Sequence, residues 1–364
     1  MGGSGRDGED AWWGTQSTGK TSRTWRRGLG IDSLVANPND MKPKERFVEI
    51  DLLRGLAMFA MILIHTNAYF LSSSSLVEQL WDWSQFAVPV FLLCSAYLFF
   101  VKTPEFTVSY LVKRFKRLLI PYYIFMLFFF GAILLREPQK LTGQYITQSI
   151  LLTGGIDINW LALLFLELTF VIPLVSFLWN KSKLAFGIFG LLSLASSIAF
   201  IFFKWPYDYK LIMWLPYGLL IIYTLLLAKF HARKWFYPVS LIAGGGIYLG
   251  LRFIETGMHH SLTFYDNKYP PNLYFLSYGI FSLALLHFLI KKGILSWRPA
   301  KQLMNFLSIN SYQLFFVHYL LMYLISWTFQ WIHFNWLTFF LAVLSSSLIV
   351  WWVVLRSQKF LFRT

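Results

Sequence analysis

Three ionisable residues interrupt an apolar run long enough to cross a bilayer. In Glu49-Ile-Asp-Leu-Leu-Arg-Gly-Leu-Ala-Met-Phe-Ala-Met-Ile-Leu-Ile-His65, Asp51, Arg54 and His65 stand among side chains that belong in hydrocarbon. An Asp or Arg at mid-helix costs about 2.5–3.5 kcal/mol to insert, so a segment serving only as an anchor would shed them. Histidine titrates near neutrality and can take a proton from a hydroxyl, which suits acyl transfer. The bland alternative is a buried histidine bonded to a neighbouring helix. Arg54 and His65 stand at i and i+11. That is close to three whole turns, so both leave one face, about 16 Å apart along the axis. Asp51 is one turn before Arg54, at the i, i+3 spacing that lets a carboxylate hold a guanidinium. Glu167, at a similar expected depth in the fourth apolar stretch, is the carboxylate best placed to orient the His65 ring.

A second cluster is basic. Arg114 and Arg117 in Lys113-Arg-Phe-Lys-Arg117 are i, i+3 neighbours, and two guanidiniums projecting together suit phosphates. Ordinary positive flanking against anionic lipid headgroups would give the same run. His318 and His287 also lie in apolar stretches, and Arg252 and Glu255 have the spacing to pair with each other. Taken singly, each of these four reads as structural. The sequence has no zinc motif, P-loop, Gly-x-Ser-x-Gly elbow or His-rich tract.

The elements that must position these residues are helices in a membrane. The chain of 364 residues is 57% hydrophobic, 20% aromatic and only 13% charged, with a mean hydropathy of +0.54. Soluble domains do not bury so much apolar surface, so the class is an all-α polytopic membrane protein. Its single cysteine, Cys94, lies in an apolar run and supports no disulfide framework. Apolar stretches recur at 47–71, 84–101, 118–135, 159–179, 184–203, 211–228, 236–256, 272–290, 304–327 and 333–355. Each is long enough for a hydrocarbon core of ~30 Å, giving about ten spans.

Lys and Arg set the orientation. They crowd the loops around 42–46, 102–117, 181–183, 229–234, 291–301 and 356–363, while the alternate side holds only Arg136, Lys140, Lys204, Lys210, Arg252 and Lys268. Both termini are therefore expected in the cytoplasm. The net charge of +15 is a topology signal and argues for no nucleic-acid partner. Residues 1–40 are polar, without helical or strand period, and are expected to be a disordered leader. Met41 is the expected natural start, with the membrane domain running over 41–364. The loop 257–271 is rich in Tyr, His and Asn, a composition that suits a sugar or, more plainly, an interfacial aromatic belt.

These residues resemble a known family. Ile50-Asp-Leu-Leu-Arg54, followed by ten residues and His65, is similar to the Arg-x10-His signature of the acyltransferase-3 family of integral membrane acyltransferases. Three further stretches agree in order: Val88-Pro-Val-Phe-Leu-Leu-Cys-Ser-Ala-Tyr-Leu98 resembles the second span. Lys113-Arg-Phe-Lys-Arg-Leu-Leu-Ile-Pro-Tyr122 resembles the Arg-x-x-Arg segment and following Pro-Tyr. Ser311-Tyr-Gln-Leu-Phe-Phe-Val-His318 resembles the late Ser-Tyr-x-x-Tyr-x-x-His helix. The resemblance covers about residues 44–355. Departures are Asn159, in Ile158-Asn-Trp160, where many relatives have His-Leu-Trp, Ala96 for a usual Gly and Phe315 for a common Tyr.

The resemblance implies transfer of an acyl group, commonly acetyl, from cytosolic acyl-CoA to a hydroxyl of a saccharide, a lipid-linked saccharide or another cell-envelope acceptor, in the plasma or inner membrane. It implies that Arg114 and Arg117 bind the phosphates of coenzyme A. Arg54, steadied by Asp51, would contact the donor. His65 would act as the base or carry the acyl group covalently, and no metal is implied. Two rival readings remain: a membrane N-acetyltransferase of the heparan-glucosaminide type, which shares an Asp-x-x-Arg-Gly opening, and a polysaccharide exporter or flippase without acyl transfer.

Overall fold

The structure, a computed structural model, describes residues 47–102, 104–203, 205–206, 208–230, 233–328 and 334–361. The expected leader, Met41 and the first basic flank lie outside the described residues. Among the described residues every regular element is helical: α1 (Val48–Asn67), α2 (Ser75–Trp83), α3 (Ala87–Lys102), α4 (Val108–Arg136), α5 (Gly143–Ile150), α6 (Asn159–Lys181), α7 (Lys183–Phe202), α8 (Trp214–Phe230), α9 (Phe236–Gly257), α10 (Leu273–Lys291), α11 (Arg298–Ile309), α12 (Ser311–Thr328) and α13 (Trp336–Leu361).

Short polar residues set several helix starts. Ser74, Thr107, Ser182 and Asn272 each accept a backbone N–H from the first turn of α2, α4, α7 and α10, satisfying a donor that the helix itself leaves unpaired. Helix α4 begins well before the expected 118, so the basic run 113–117 lies inside the helix rather than ahead of it. Pro121 and Pro173 are carried within α4 and α6.

Eight helical segments among the described residues are long and apolar enough to cross a membrane: Ser75–Lys102, Val108–Arg136, Asn159–Lys181, Lys183–Phe202, Tyr209–Phe230, Phe236–Gly257, Leu273–Lys291 and Trp336–Gln358. The second expected span thus starts earlier than 84, because α2 continues through a single turn into α3. Of the other two expected spans, 47–71 is present as α1 and 304–327 is broken at Asn310 between α11 and α12; neither belongs to that set.

Helix α1 is the hub, in contact with α2, α3, α10, α11, α12 and α13. Its approach to α11 is backbone to backbone: a Cβ on Gly55 would sit 2.1 Å from the Met304 carbonyl oxygen. Asn310 then interrupts the chain, its Nδ2 donating to Phe306 O at 2.9 Å, and α12 continues along the second half of α1. At the periphery, α9 packs chiefly on α10, and α13 on α12 and α1. The loop 258–272 folds onto the α2–α3 corner, where Phe264 N–H donates to Asp82 Oδ1 at 2.6 Å and the Tyr278 hydroxyl donates to Trp83 O.

Candidate active site

Helix α11 lies antiparallel on the first half of α1, with Met304 at Gly55 and Ser308 at Asp51. After the break at Asn310, α12 runs along α1 in the same direction and brings together two imidazoles. His65 lies ten residues beyond Gly55 and His318 fourteen beyond Met304, and their rings stack at 5.1 Å with Nδ1 of His65 2.8 Å from Nε2 of His318. His318 Nδ1 lies 2.9 Å from Leu314 O. A carbonyl only accepts, so the proton is on His318 Nδ1 and its Nε2 accepts from His65 Nδ1–H. With both rings neutral, this chain leaves the lone pair of His65 on Nε2, the state a base needs. His318 is fully buried, whereas His65 keeps part of its surface open. Tyr319 stands edge-on to His65 at 5.7 Å.

A cavity of about 310 Å³ approaches this pair, within the range of small-molecule sites. Arg54, Lys102, Arg114 and Arg117 supply its cationic wall, Ser95, Ser308 and Ser311 its hydroxyls, and Phe91, Leu161, Phe165 and Phe315 its apolar wall. Phe315 is the link between cavity and imidazoles, with its ring 6.0 Å from that of His65 and 5.7 Å from that of His318. The guanidiniums of Arg54, Arg114 and Arg117 act on one another, and Arg114 Nε is buried without a hydrogen-bond partner among the described residues. An orphaned charged donor in a basic cavity is what an absent anion would satisfy. The Tyr312 hydroxyl donates to Leu118 O at 2.7 Å, tying α12 to the Arg-bearing turns of α4. The Ser308 hydroxyl donates to Asp51 Oδ1 at 3.3 Å, which fixes the α1–α11 seam beside Arg54.

The structure thus gathers Arg54, Arg114 and Arg117 on one cavity and puts His65 one aromatic ring beyond it. It does not bring Glu167 to His65. Glu167 lines a separate apolar pocket of about 620 Å³ with Phe170, Pro173, Phe177 and Trp214, and the ring partner is His318. Depth alone suggested Glu167, but α6 turns that carboxyl away. Another expectation is also corrected: Arg252 donates to the hydroxyls of Tyr274 and Tyr248 at 3.1 and 3.4 Å, while Glu255 pairs with His260 Nδ1 at 2.9 Å. Asn159 donates from Nδ2 to Gly154 O, closing the turn before α6.

His318 was legible as a buried histidine but not as the partner of His65. Gly55 signals a close helix crossing, which the structure fills with Met304 of α11, but no local signal names His318 on the following helix. By sequence, Lys268 counts only as one of the six basic residues on the sparse side. It is 4% exposed, and its Nζ donates to Gln85 Oε1 at 2.8 Å.

An all-helical bundle with its charged groups turned inward defines a polytopic membrane protein built around an internal site. A family model described as an acyltransferase domain matches residues 47–356, most of the chain, and the protein belongs to the acyltransferase-3 family. It is a membrane acyltransferase. No curated protein and no solved structure matches the chain.

Proposed function

We propose that the protein moves an acyl group, acetyl above all, from cytosolic acyl-CoA to a hydroxyl of a saccharide or lipid-linked saccharide of the cell envelope. The observation that carries this reading is the continuity from guanidiniums through Phe315 to an imidazole with a free Nε2. Arg114 and Arg117 would take the phosphates of coenzyme A, with Arg54 further along the same wall. Such contacts are charge-assisted and geometrically specific. The thioester end would lie toward Phe91, Phe165 and Phe315.

In the reaction the acceptor O–H gives its proton to His65 Nε2 as its oxygen attacks the thioester carbonyl. The tetrahedral intermediate expels the coenzyme A thiolate, which takes that proton back from the imidazolium. His318 stabilises the charged ring by accepting from His65 Nδ1–H throughout, and Leu314 O holds His318 in the required tautomer. Donor and acceptor approach from opposite faces of the bundle, the basic loops facing the cytoplasm of a plasma or inner membrane.

The test is to incubate membranes containing the protein with labelled acetyl-CoA. Label on a saccharide-bearing envelope component, released by mild alkali as an ester is, supports the reading. Label that resists alkali points to amide formation as in the N-acetyltransferases, and saccharide flux without label points to an exporter.

A further inference from the structure

Lys268 occupies the end of the bundle opposite the guanidiniums. It is bonded to Gln85, which precedes α3, whereas Lys102 ends that helix. The two lie about 25 Å apart along it, at ~1.5 Å per residue. Among the described residues no carboxylate comes within 4 Å of the Lys268 ammonium. Three rings surround it instead, Tyr269 at 4.8 Å, Trp160 at 5.3 Å and Tyr265 at 5.6 Å. Asp82 of α2 acts on it at longer range, with Oδ1 accepting from Phe264 N–H. Toward the interior, Lys268 is near enough for its charge to act on His65 of α1.

An ammonium has three N–H donors, and Gln85 takes one. Rings soften the cost of burying the charge but offer no oxygen acceptor. A buried cation without an anion is expensive, and burial pushes the Lys268 pKa down to about 7. We propose that Lys268 anchors an anion subsite on the acceptor side of His65, so that the acceptor carries a carboxylate or phosphate near the hydroxyl that is acylated. This rests on the reading of His65 as the base. Trp160 and Tyr269 would wall the subsite, and the anion would restore the charge on Lys268 by raising its pKa again.

Calorimetric titration of the purified full-length protein in nanodiscs tests this. Saturating coenzyme A fills the guanidinium cavity, and inorganic phosphate and sodium glucuronate are the probes. At about pH 7, binding of at least one probe is expected with uptake of about half a proton. Lys268→Gln should weaken it about tenfold or more, as loss of a charged hydrogen-bond donor does. Lys268→Arg should retain it without proton uptake. Binding of phosphate alone identifies a phosphate-bearing acceptor, and binding of glucuronate alone an acidic saccharide. No binding of either probe to the wild type, or equal binding to Lys268→Gln, overturns the proposal. A pH series covers the case of a misfolded Gln variant. Relative to the Arg variant, which carries any titration of the probe itself, wild-type affinity should fall as pH rises from about 6 to about 8.5, and a wild type that parallels the Arg variant overturns the proposal. Coenzyme A titrated alone separates the two claims: lost anion binding with donor binding intact removes the subsite and leaves the acyltransferase reading standing.

Discussion

The continuous α2–α3 segment and α9 are both apolar and membrane-length, yet they live in different solvents. The apolar window of Ser75–Lys102 is 72% buried by protein, that of Phe236–Gly257 only 11%. Lipid tails and a dry protein core are equally apolar, so hydropathy does not separate the two environments. Polar content does. The central helices carry His65, Arg54, Arg114 and His318, whereas α9 turns Ile242, Leu249 and Phe253 outward. Charge in the middle of such a bundle persists because a neighbouring group or a ligand answers it.

That contrast can be broken most forcefully at His65. His65→Ala should lower kcat about 10²–10⁴-fold, the usual worth of a general base, while membrane insertion and donor binding stay normal. Arg114→Ala with Arg117→Ala should raise KM for acetyl-CoA by about tenfold or more and change acceptor KM little. Equal losses for both substrates would mean a folding defect. His318→Ala should cost roughly a hundredfold in kcat by releasing the ring orientation, and adding it to His65→Ala should cost nothing further. Gly55→Ala forces a Cβ onto the Met304 carbonyl and should destabilise the protein by about 1–3 kcal/mol in thermal unfolding. At the lipid face, Phe253→Leu on a side chain that is 81% exposed should shift stability by less than about 0.5 kcal/mol. A large effect there would mean that α9 is covered by something other than lipid.

How much of this was written in the sequence follows the same divide. Apolar length gave the helices, because insertion energy depends on local composition. The i, i+11 spacing put Arg54 and His65 on one face, because helix geometry is local too. Which helices touch was not local information. Glu167 matched only an expected depth, and it lines an apolar pocket on α6, while His318 meets His65 because α12 runs back along α1 after the break at Asn310. In the sequence Lys268 is one of six basic residues on the sparse side, in the longer loop 257–271. Its burial depends on loop 258–272 folding back onto Asp82 and Gln85, more than 180 residues earlier in the chain.

The most direct measurement is a structure of the protein with a non-hydrolysable acetyl-CoA analogue. The account predicts its phosphates against Arg114 and Arg117, and its acyl carbon past a displaced Phe315 facing His65 Nε2. An analogue bound elsewhere, or one lying in the basic cavity with its acyl end turned away from His65, would contradict it.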